Sequence, residues 1–89
     1  NELIKPNTDG VYELDGTMTI RDLNRAMDWN LPDEDANTLA GLVLHEAQMI
    51  PAVGQVFWFH GFRFEVAGRE ANRITVVRVR PLLRETYNK

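Results

Sequence analysis

The pattern of apolar and polar positions predicts a short strand and then a helix at the start of the chain. Residues 10–14 form the first apolar run, and Asp15-Gly16 supplies a turn after it, because glycine tolerates a positive φ. Thr19 is a suitable N-cap for a helix whose apolar residues follow helical spacing. Asn24 interrupts the apolar face of this helix, which is expected to end near Asp28.

A second helix is predicted in the middle of the chain. Asn37 or Thr38 can cap its first turn, and its apolar positions continue to about Gln48. Gly41 lies inside this helix, where glycine costs about 1 kcal/mol relative to alanine. A glycine at such a position is expected to let another element pack closely. Pro51 then prevents the helix from continuing.

The remaining sequence changes to the two-residue alternation of strands. Residues 55–59, 62–67 and 74–80 are predicted strands, with a tight turn at His60-Gly61. Residues 68–72 are predicted to form a turn or a bulge. Three consecutive strands with short connections predict an antiparallel meander.

The alternation slips within the last strand, because Val76 and Val77 are adjacent. A β-bulge, or burial of both faces, would explain this slip. The complete order is a strand, two helices and then a three-stranded antiparallel meander. This order predicts a small single domain of the α+β class, because the helices are separated from the meander along the chain.

The polar ends of the chain predict tails around one folded domain. Residues 1–8 lack periodicity and are expected to be a linker or tail, with the folded domain at 9–82 and a C-terminal tail at 83–89. The first residue is Asn rather than Met, which favours a piece of a larger protein. The longest apolar stretches are far shorter than a membrane span, so we expect no direct membrane insertion by this domain.

A cluster of aromatic and arginine residues in the meander predicts a protein contact. Phe57, Trp58 and Phe59 are consecutive, and successive side chains of a strand point to opposite faces. Some of these aromatic rings must therefore point away from the core. The candidate interface residues are Trp58, Phe59, Arg63, Arg78 and Arg80.

Charge is distributed unevenly along the chain. Residues 1–50 carry 3 basic and 10 acidic side chains, whereas residues 51–89 carry 7 basic and 3 acidic side chains. This asymmetry allows two interpretations, in which the halves neutralise each other or form an oriented contact with a partner or anion. The net charge of -3 argues against a dedicated nucleic-acid binder.

The residue inventory argues against an enzyme and against a metal site. The chain contains no cysteine and no serine, which excludes thiolate chemistry, cysteine-based zinc sites and serine triads. His45 and His60 lack metal-ligand spacing, and only a spatial pairing of the two would reopen the possibility of catalysis. The acidic run 33–35 lacks EF-hand spacing and is interpreted as a solvated loop. We therefore predict no catalytic residue and no metal ligand.

The segment from Thr38 to Gly54 resembles the transporter-associated domain of the CorC/HlyC family. In that family a "TlaGlil" helix precedes an "iP..Ge" segment, and residues 38–44 and 50–54 match these two motifs here. Further matches are Asp15-Gly16, Ile20, Asp22, Leu23-Asn24, Leu31-Pro32, Gly61, Phe62, Phe64, Glu65, Val66, Arg73-Ile74 and Val77-Arg78-Val79. The similarity extends over about residues 10 to 80 and rests on the order of the motifs.

The resemblance implies an accessory domain rather than a complete activity. Such domains are similar in fold to certain FAD-binding domains and commonly follow a pair of CBS domains. Many of the proteins carry a transmembrane domain and are associated with magnesium and cobalt efflux, and some are labelled hemolysin-like. The implied function is non-catalytic modulation of ion transport by protein contact, at the cytoplasmic side of the bacterial inner membrane. The implied partners are the CBS-domain pair and the transmembrane domain. Independently of the resemblance, exposed aromatic residues and strand edges in a small domain predict a homodimer.

A ligand-binding module is the alternative. The family's structural relatives and the arginine-rich, aromatic meander favour a sensor of adenine nucleotide or flavin, whose binding residues are unknown. The absence of a glycine-rich phosphate loop argues against it. Apart from this alternative, we expect no cofactor.

Overall fold

The computed structural model describes residues 5–82, which form one antiparallel sheet and two helices. The elements are β1 Tyr12–Asp15, α1 Ile20–Met27, α2 Leu39–Ala47, β2 Val56–Phe59, β3 Phe62–Glu70 and β4 Arg73–Pro81. The strands lie in the order β1-β4-β3-β2, so the first strand pairs with the last. The predicted α+β class and element order are confirmed.

Both helices begin at the same kind of cap. The Thr19 hydroxyl accepts a hydrogen bond from the Asp22 backbone N–H, and the Thr38 hydroxyl accepts one from the Gly41 N–H, both at 3.1 Å. Each helix also ends in a left-handed residue, with φ of 60° at Asp28 and 65° at Gln48. These caps satisfy backbone groups that would otherwise lack partners, which explains why local sequence defines both helices.

The core lies between the helices and one face of the sheet. It contains Leu14, Ile20, Leu23, Leu31, Leu39, Leu42, Val43, Phe62, Phe64, Val66, Ile74, Val77 and Val79. The inward side chains of β3 come from alternate positions, as the pleat of a strand requires. Burial of one sheet face leaves the opposite face without a covering element among residues 5–82.

The third strand is longer than the sequence predicts. It continues to Glu70, and the turn that was expected at 68–72 is confined to Ala71 and Asn72. The pairing is irregular around Gly68, where β3 and β4 each skip one residue. A bulge therefore lies within the hairpin, and because Thr75 is skipped, Ile74 and Val77 both reach the core.

Two glycines are required for reasons that differ from the sequence interpretation. Gly16 is needed for space, not for a positive φ, because a Cβ there would clash with the Ile74 carbonyl oxygen. At Gly41 a Cβ would lie 3.2 Å from the Thr38 hydroxyl and 3.3 Å from the Ala36 Cβ. The close neighbour of Gly41 is thus the segment that leads into its own helix.

The domain boundaries stay a prediction. Residues 1–4 of the expected linker and all of the expected tail 83–89 lie outside the described residues.

Candidate interaction surface

The sheet face that no described helix covers is the strongest candidate for a functional surface, and we call it the open face. It is formed by alternate side chains of all four strands: Glu13, Val56, Trp58, Arg63, Glu65, Arg78 and Arg80. Four of the five residues that the sequence proposes for an interface belong to it. The tertiary structure thus places Trp58, Arg63, Arg78 and Arg80 on one surface.

One row of the open face contains a tryptophan and two arginines. Trp58 of β2 is opposite Arg63 of β3, and Arg63 is opposite Arg80 of β4. The Trp58 residue is 64% exposed although it lies within a strand. An exposed tryptophan beside arginines is the composition of an energetic centre in protein interfaces.

A second row contains a ladder of ion pairs. Glu65 lies between two guanidinium groups, 3.6 Å from Arg63 and 3.5 Å from Arg78. Arg78 extends the ladder to Glu13, at 3.4 Å. Neither glutamate is among the interface residues predicted from the sequence. The strand alternation could have placed Glu65, whereas Glu13 reaches this face only because β1 pairs with β4.

Phe59, the fifth proposed interface residue, lies on the helix-covered side of the sheet. Its ring stacks on Phe64 with 4.3 Å between centroids and 15° between planes. It is partly buried against the core. Phe57 also packs against the core, so Trp58 is the member of this aromatic run that faces outward.

Ion pairing joins the acidic and basic halves at few points. Among the described residues, Arg78–Glu13 is the one arginine–carboxylate pair that connects residues 1–50 with residues 51–82. The other arginine pairs are within one half, such as Arg21–Asp33 at 3.9 Å. Mutual neutralisation of the halves is therefore incomplete in the described part of the chain.

The two histidines contact different carboxylates. His60 Nε2 lies 2.9 Å from Glu46 Oε2, and His45 Nε2 lies 3.5 Å from Asp35 Oδ2. Within residues 5–82, no three His, Asp or Glu side chains are grouped as metal ligands would be. The Asp35 carboxylate of the acidic loop is engaged with His45, and Asp33 with Arg21.

A groove of about 560 Å³ lies where β1, β4 and the start of α2 meet, and no sequence motif predicts it. Asp15 lines it and accepts hydrogen bonds from the Thr17 N–H at 2.8 Å and the Thr17 hydroxyl at 2.7 Å. These bonds, aided by Arg73, lower the pKa of the Asp15 carboxyl below its ordinary value of 3.8.

The start of α2 does not offer this groove free backbone donors. The Leu39 N–H donates to the Met18 carbonyl and the Ala40 N–H to the Gly16 carbonyl, both at 2.9 Å. The third N–H, that of Gly41, donates to Thr38. The groove therefore lacks the exposed amides that bind phosphate at helix N-termini. Binding of a nucleotide or flavin stays a prediction.

Neither helix within residues 5–82 combines the length and the apolar character that crossing a bilayer requires.

Comparison with known proteins adds the family. The sequence profile of the CorC/HlyC transporter associated domain matches residues 5–82. The chain is 33% identical over 87 residues to the inner membrane protein YfjD of Escherichia coli. This match covers 96% of the present chain and 20% of YfjD. It is 36% identical over 62 residues to the magnesium and cobalt efflux protein CorC of Salmonella typhimurium, covering 70% of this chain and 21% of CorC. The chain thus spans about a fifth of the length of these relatives.

Solved structures show the same fold. A conserved protein of unknown function from Haemophilus influenzae superposes with a TM-score of 0.82 at 31% identity, over 91% of this chain and 100% of that one. A transporter associated domain of a Xylella fastidiosa hemolysin, in complex with Mg²⁺ and Mn²⁺, gives 0.76 at 28% identity, over 92% of this chain and 100% of that one. Sequence profile, relatives and fold agree, and the chain belongs to the CorC/HlyC family of transporter associated domains.

Proposed function

We propose that this chain is a non-catalytic accessory domain of a membrane cation efflux protein, and that it modulates transport through contacts of its open face. The magnesium and cobalt type of transport is proposed by analogy with the relative named CorC. A domain that spans about a fifth of its relatives fits a part that acts on neighbouring domains rather than alone.

The composition of the open face is the observation that carries this proposal. It presents Trp58, which is 64% exposed, together with Arg63, Arg78 and Arg80, in a sheet whose other face forms the core. Aromatic residues and arginine are enriched in protein interfaces relative to the rest of the surface. Tryptophan and arginine are also the residue types that contribute most to protein–protein binding.

The proposed mechanism is a bias between conformations of the transporter. Contact by the open face changes an equilibrium only if its free energy differs between the two conformations. The partners that we propose are the CBS-domain pair and the transmembrane domain of the same protein, and the proposed location is the cytoplasmic side of the inner membrane. The relative named as an inner membrane protein supports this membrane setting.

Deletion of residues 5–82 from the longer protein tests the function. We expect cation efflux from loaded cells, or its dependence on cation concentration, to change when the domain is removed. Unchanged efflux of both magnesium and cobalt across concentrations would contradict the proposal.

A point substitution tests the role of the open face. Trp58→Ser should reproduce the effect of the deletion on efflux without lowering the stability of the domain, because the indole is already exposed. Met49→Ser is the matched control, since Met49 is 62% exposed and lies outside the sheet. If both substitutions alter efflux equally, the open face has no special role.

Self-association stays a separate prediction of the sequence. Light scattering of the isolated chain tests it, and a mass of one chain at high concentration would contradict it.

A further inference from the structure

We infer that the open face docks a carboxylate-bearing segment of the same protein, bound by Arg63 and Arg80 and covered by Trp58. This inference rests on the proposed function and names the chemistry of the partner. It derives from the arrangement of charge in the row that contains these three residues.

Two arginines occupy directly opposite positions on β3 and β4. Arg63 and Arg80 are paired in register, and like charges at opposite positions destabilise a sheet. Nothing in the described part of the chain offsets this at Arg80, which has no ion-pair partner among residues 5–82 and is exposed. An anion placed between the two guanidinium groups would remove the repulsion.

The carboxylates already present on the open face are insufficient for its arginines. Glu65 is shared by Arg63 and Arg78, and Glu13 contacts Arg78 only. Three guanidinium groups of the open face are therefore matched by two carboxylates, because the third carboxylate on this side of β1, that of Asp15, is hydrogen-bonded to Thr17. The unbalanced charge lies at Arg80.

Trp58 makes the same row suitable for a protein segment. It stands opposite Arg63 at the outer strand of the sheet, so a chain lying along the row would cover the indole. Exclusion of water by the indole would strengthen an ion pair beside it, and the planar guanidinium binds a carboxylate through two parallel hydrogen bonds.

A protein segment explains this surface better than an anionic lipid surface does. Lipid recognition uses clusters of about four to eight basic residues, whereas the open face has one guanidinium group in excess.

The charge reversal Arg80→Glu separates docking from folding. It replaces a like-charge pair by an opposite-charge pair with Arg63, so the melting temperature of the isolated domain should be unchanged or higher. Docking of a carboxylate should be lost at the same time. Substitution of a residue with a purely structural role would lower the stability of the domain when it lowers binding, whereas substitution of a docking residue lowers binding alone.

The isolated domain is a suitable sample for the stability measurement. The superposition covers 100% of the Haemophilus influenzae chain and 100% of the Xylella fastidiosa chain. Each of these solved chains therefore consists of this domain, which shows that the family domain folds without the rest of the longer protein.

Photo-crosslinking in the longer protein identifies what is docked. We would place p-benzoylphenylalanine at Val56, which lies on the open face beside Trp58 and leaves both arginines intact. After irradiation in native membranes, mass spectrometry identifies the crosslinked peptide. We expect a peptide of the same protein with carboxylates beside the crosslinked residue.

Charge reversal then tests the chemistry of the contact. Arg80→Glu should lower the crosslinking yield roughly tenfold, as removal of a central interface residue does. Reversal of the identified carboxylates to lysine in the Arg80→Glu background should restore the yield. Arg21→Glu is the control, because Arg21 lies on α1, away from the open face, with an 82% exposed side chain. The crosslinking yield of this variant should equal that of the wild type.

Several outcomes would overturn the inference. They are a crosslink to a segment without carboxylates, to lipid or to the open face of a second copy, a yield that Arg80→Glu leaves unchanged, and no crosslink at all. The proposed function fails separately, since it requires that deletion of the domain alters efflux. Altered efflux together with any of these crosslinking results would retain the function and reject the acidic partner.

Discussion

Gly16 is the residue at which three parts of the fold meet. Its N–H donates to the Thr75 carbonyl of β4 at 2.8 Å, and its carbonyl accepts from the Ala40 N–H of α2 at 2.9 Å. The residue is buried, and the Ile74 carbonyl fills the space where a side chain would start. Only glycine lets strand and helix approach the backbone from both sides.

Substitution of Gly16 by alanine should strongly destabilise the domain. We expect Gly16→Ala to lower the free energy of unfolding by about 3 kcal/mol, because either β4 or β1 must move. Gly61→Ala is the control: it has open space around the Cβ and only the strain of a positive φ of 86°, which costs about 1 kcal/mol. Urea denaturation of both variants checks this, and an equal loss at the two positions would refute the packing explanation.

Asp15 gives the domain a pH dependence at the acid end. Its pKa is lowered in the folded state by the hydrogen bonds from Thr17, so the folded state binds the proton less readily than the unfolded chain. The stabilisation is complete above the ordinary pKa of 3.8 and is lost as the pH falls through the lower folded value. Stability measured from pH 6 downward should therefore fall less steeply in Asp15→Asn than in the wild type, below about pH 4. Identical slopes in the wild type and in Asp15→Asn would exclude this role of Asp15.

At the scale of elements, Asn24 connects the first helix to the loop behind it. Its side-chain nitrogen donates to the Leu31 carbonyl, and its side-chain oxygen accepts from the Leu31 N–H, both at 2.9 Å. Leu31 is thereby held in the core, where it is 3% exposed. The asparagine that seemed to interrupt an apolar face is the residue that fixes the path of the connection.

Removal of this side chain should detach the connection from α1. Asn24→Ala leaves both backbone groups of Leu31 without their partners, and we expect a loss of about 2 kcal/mol in the free energy of unfolding. The exposed Asn30→Ala variant should change stability by less than about 0.5 kcal/mol. Thermal denaturation compares the two. If Asn24→Ala were as stable as Asn30→Ala, the paired hydrogen bonds would not contribute.

The long hairpin of β3 and β4 shows how an element can be irregular and still keep its register. Both strands skip one residue near Gly68, so Arg63–Arg80 and Glu70–Arg73 belong to the same register on either side of the bulge. The carbonyl of the skipped Thr75 accepts the hydrogen bond from Gly16. The irregularity thus lets β4 bind the end of β1 without moving the arginines off the open face.

At the scale of the whole molecule, one core holds both helices and all but one of the strands. Phe64 is fully buried, and the partly buried Phe59 of β2 stacks on it, which links the remaining strand to the same core. The sheet has one buried face and one open face, so a single layer of helices suffices to complete the fold. The open face is then available for contact.

This architecture predicts one cooperative unfolding transition. For the 78 residues from 5 to 82 we expect an unfolding enthalpy of about 55 kcal/mol near 60 °C. Calorimetry of the isolated chain should give equal calorimetric and van't Hoff enthalpies. Two resolved transitions would show that the helices and the meander do not share a core.

Local sequence predicts the parts of this fold that local interactions define. The threonine caps, the His60-Gly61 hairpin and the alternation of β3 depend on residues within a few positions of one another, so element order and class follow from sequence. The family follows as well, since its motifs are contiguous. The hairpin also allows Trp58 and Arg63 to be placed together, because its turn sets the register of β2 and β3.

The tertiary structure decided what depends on residues far apart in the chain. Pairing of β1 with β4 brings Glu13 to Arg78, and close packing at Ile74 demands Gly16. Burial decided that Phe59 faces the core while Trp58 faces outward. These features require the closure of long loops around one core, and no local pattern specifies which distant backbone or charge will be adjacent. The sequence by itself determined the elements and the family, and the tertiary structure determined the open face.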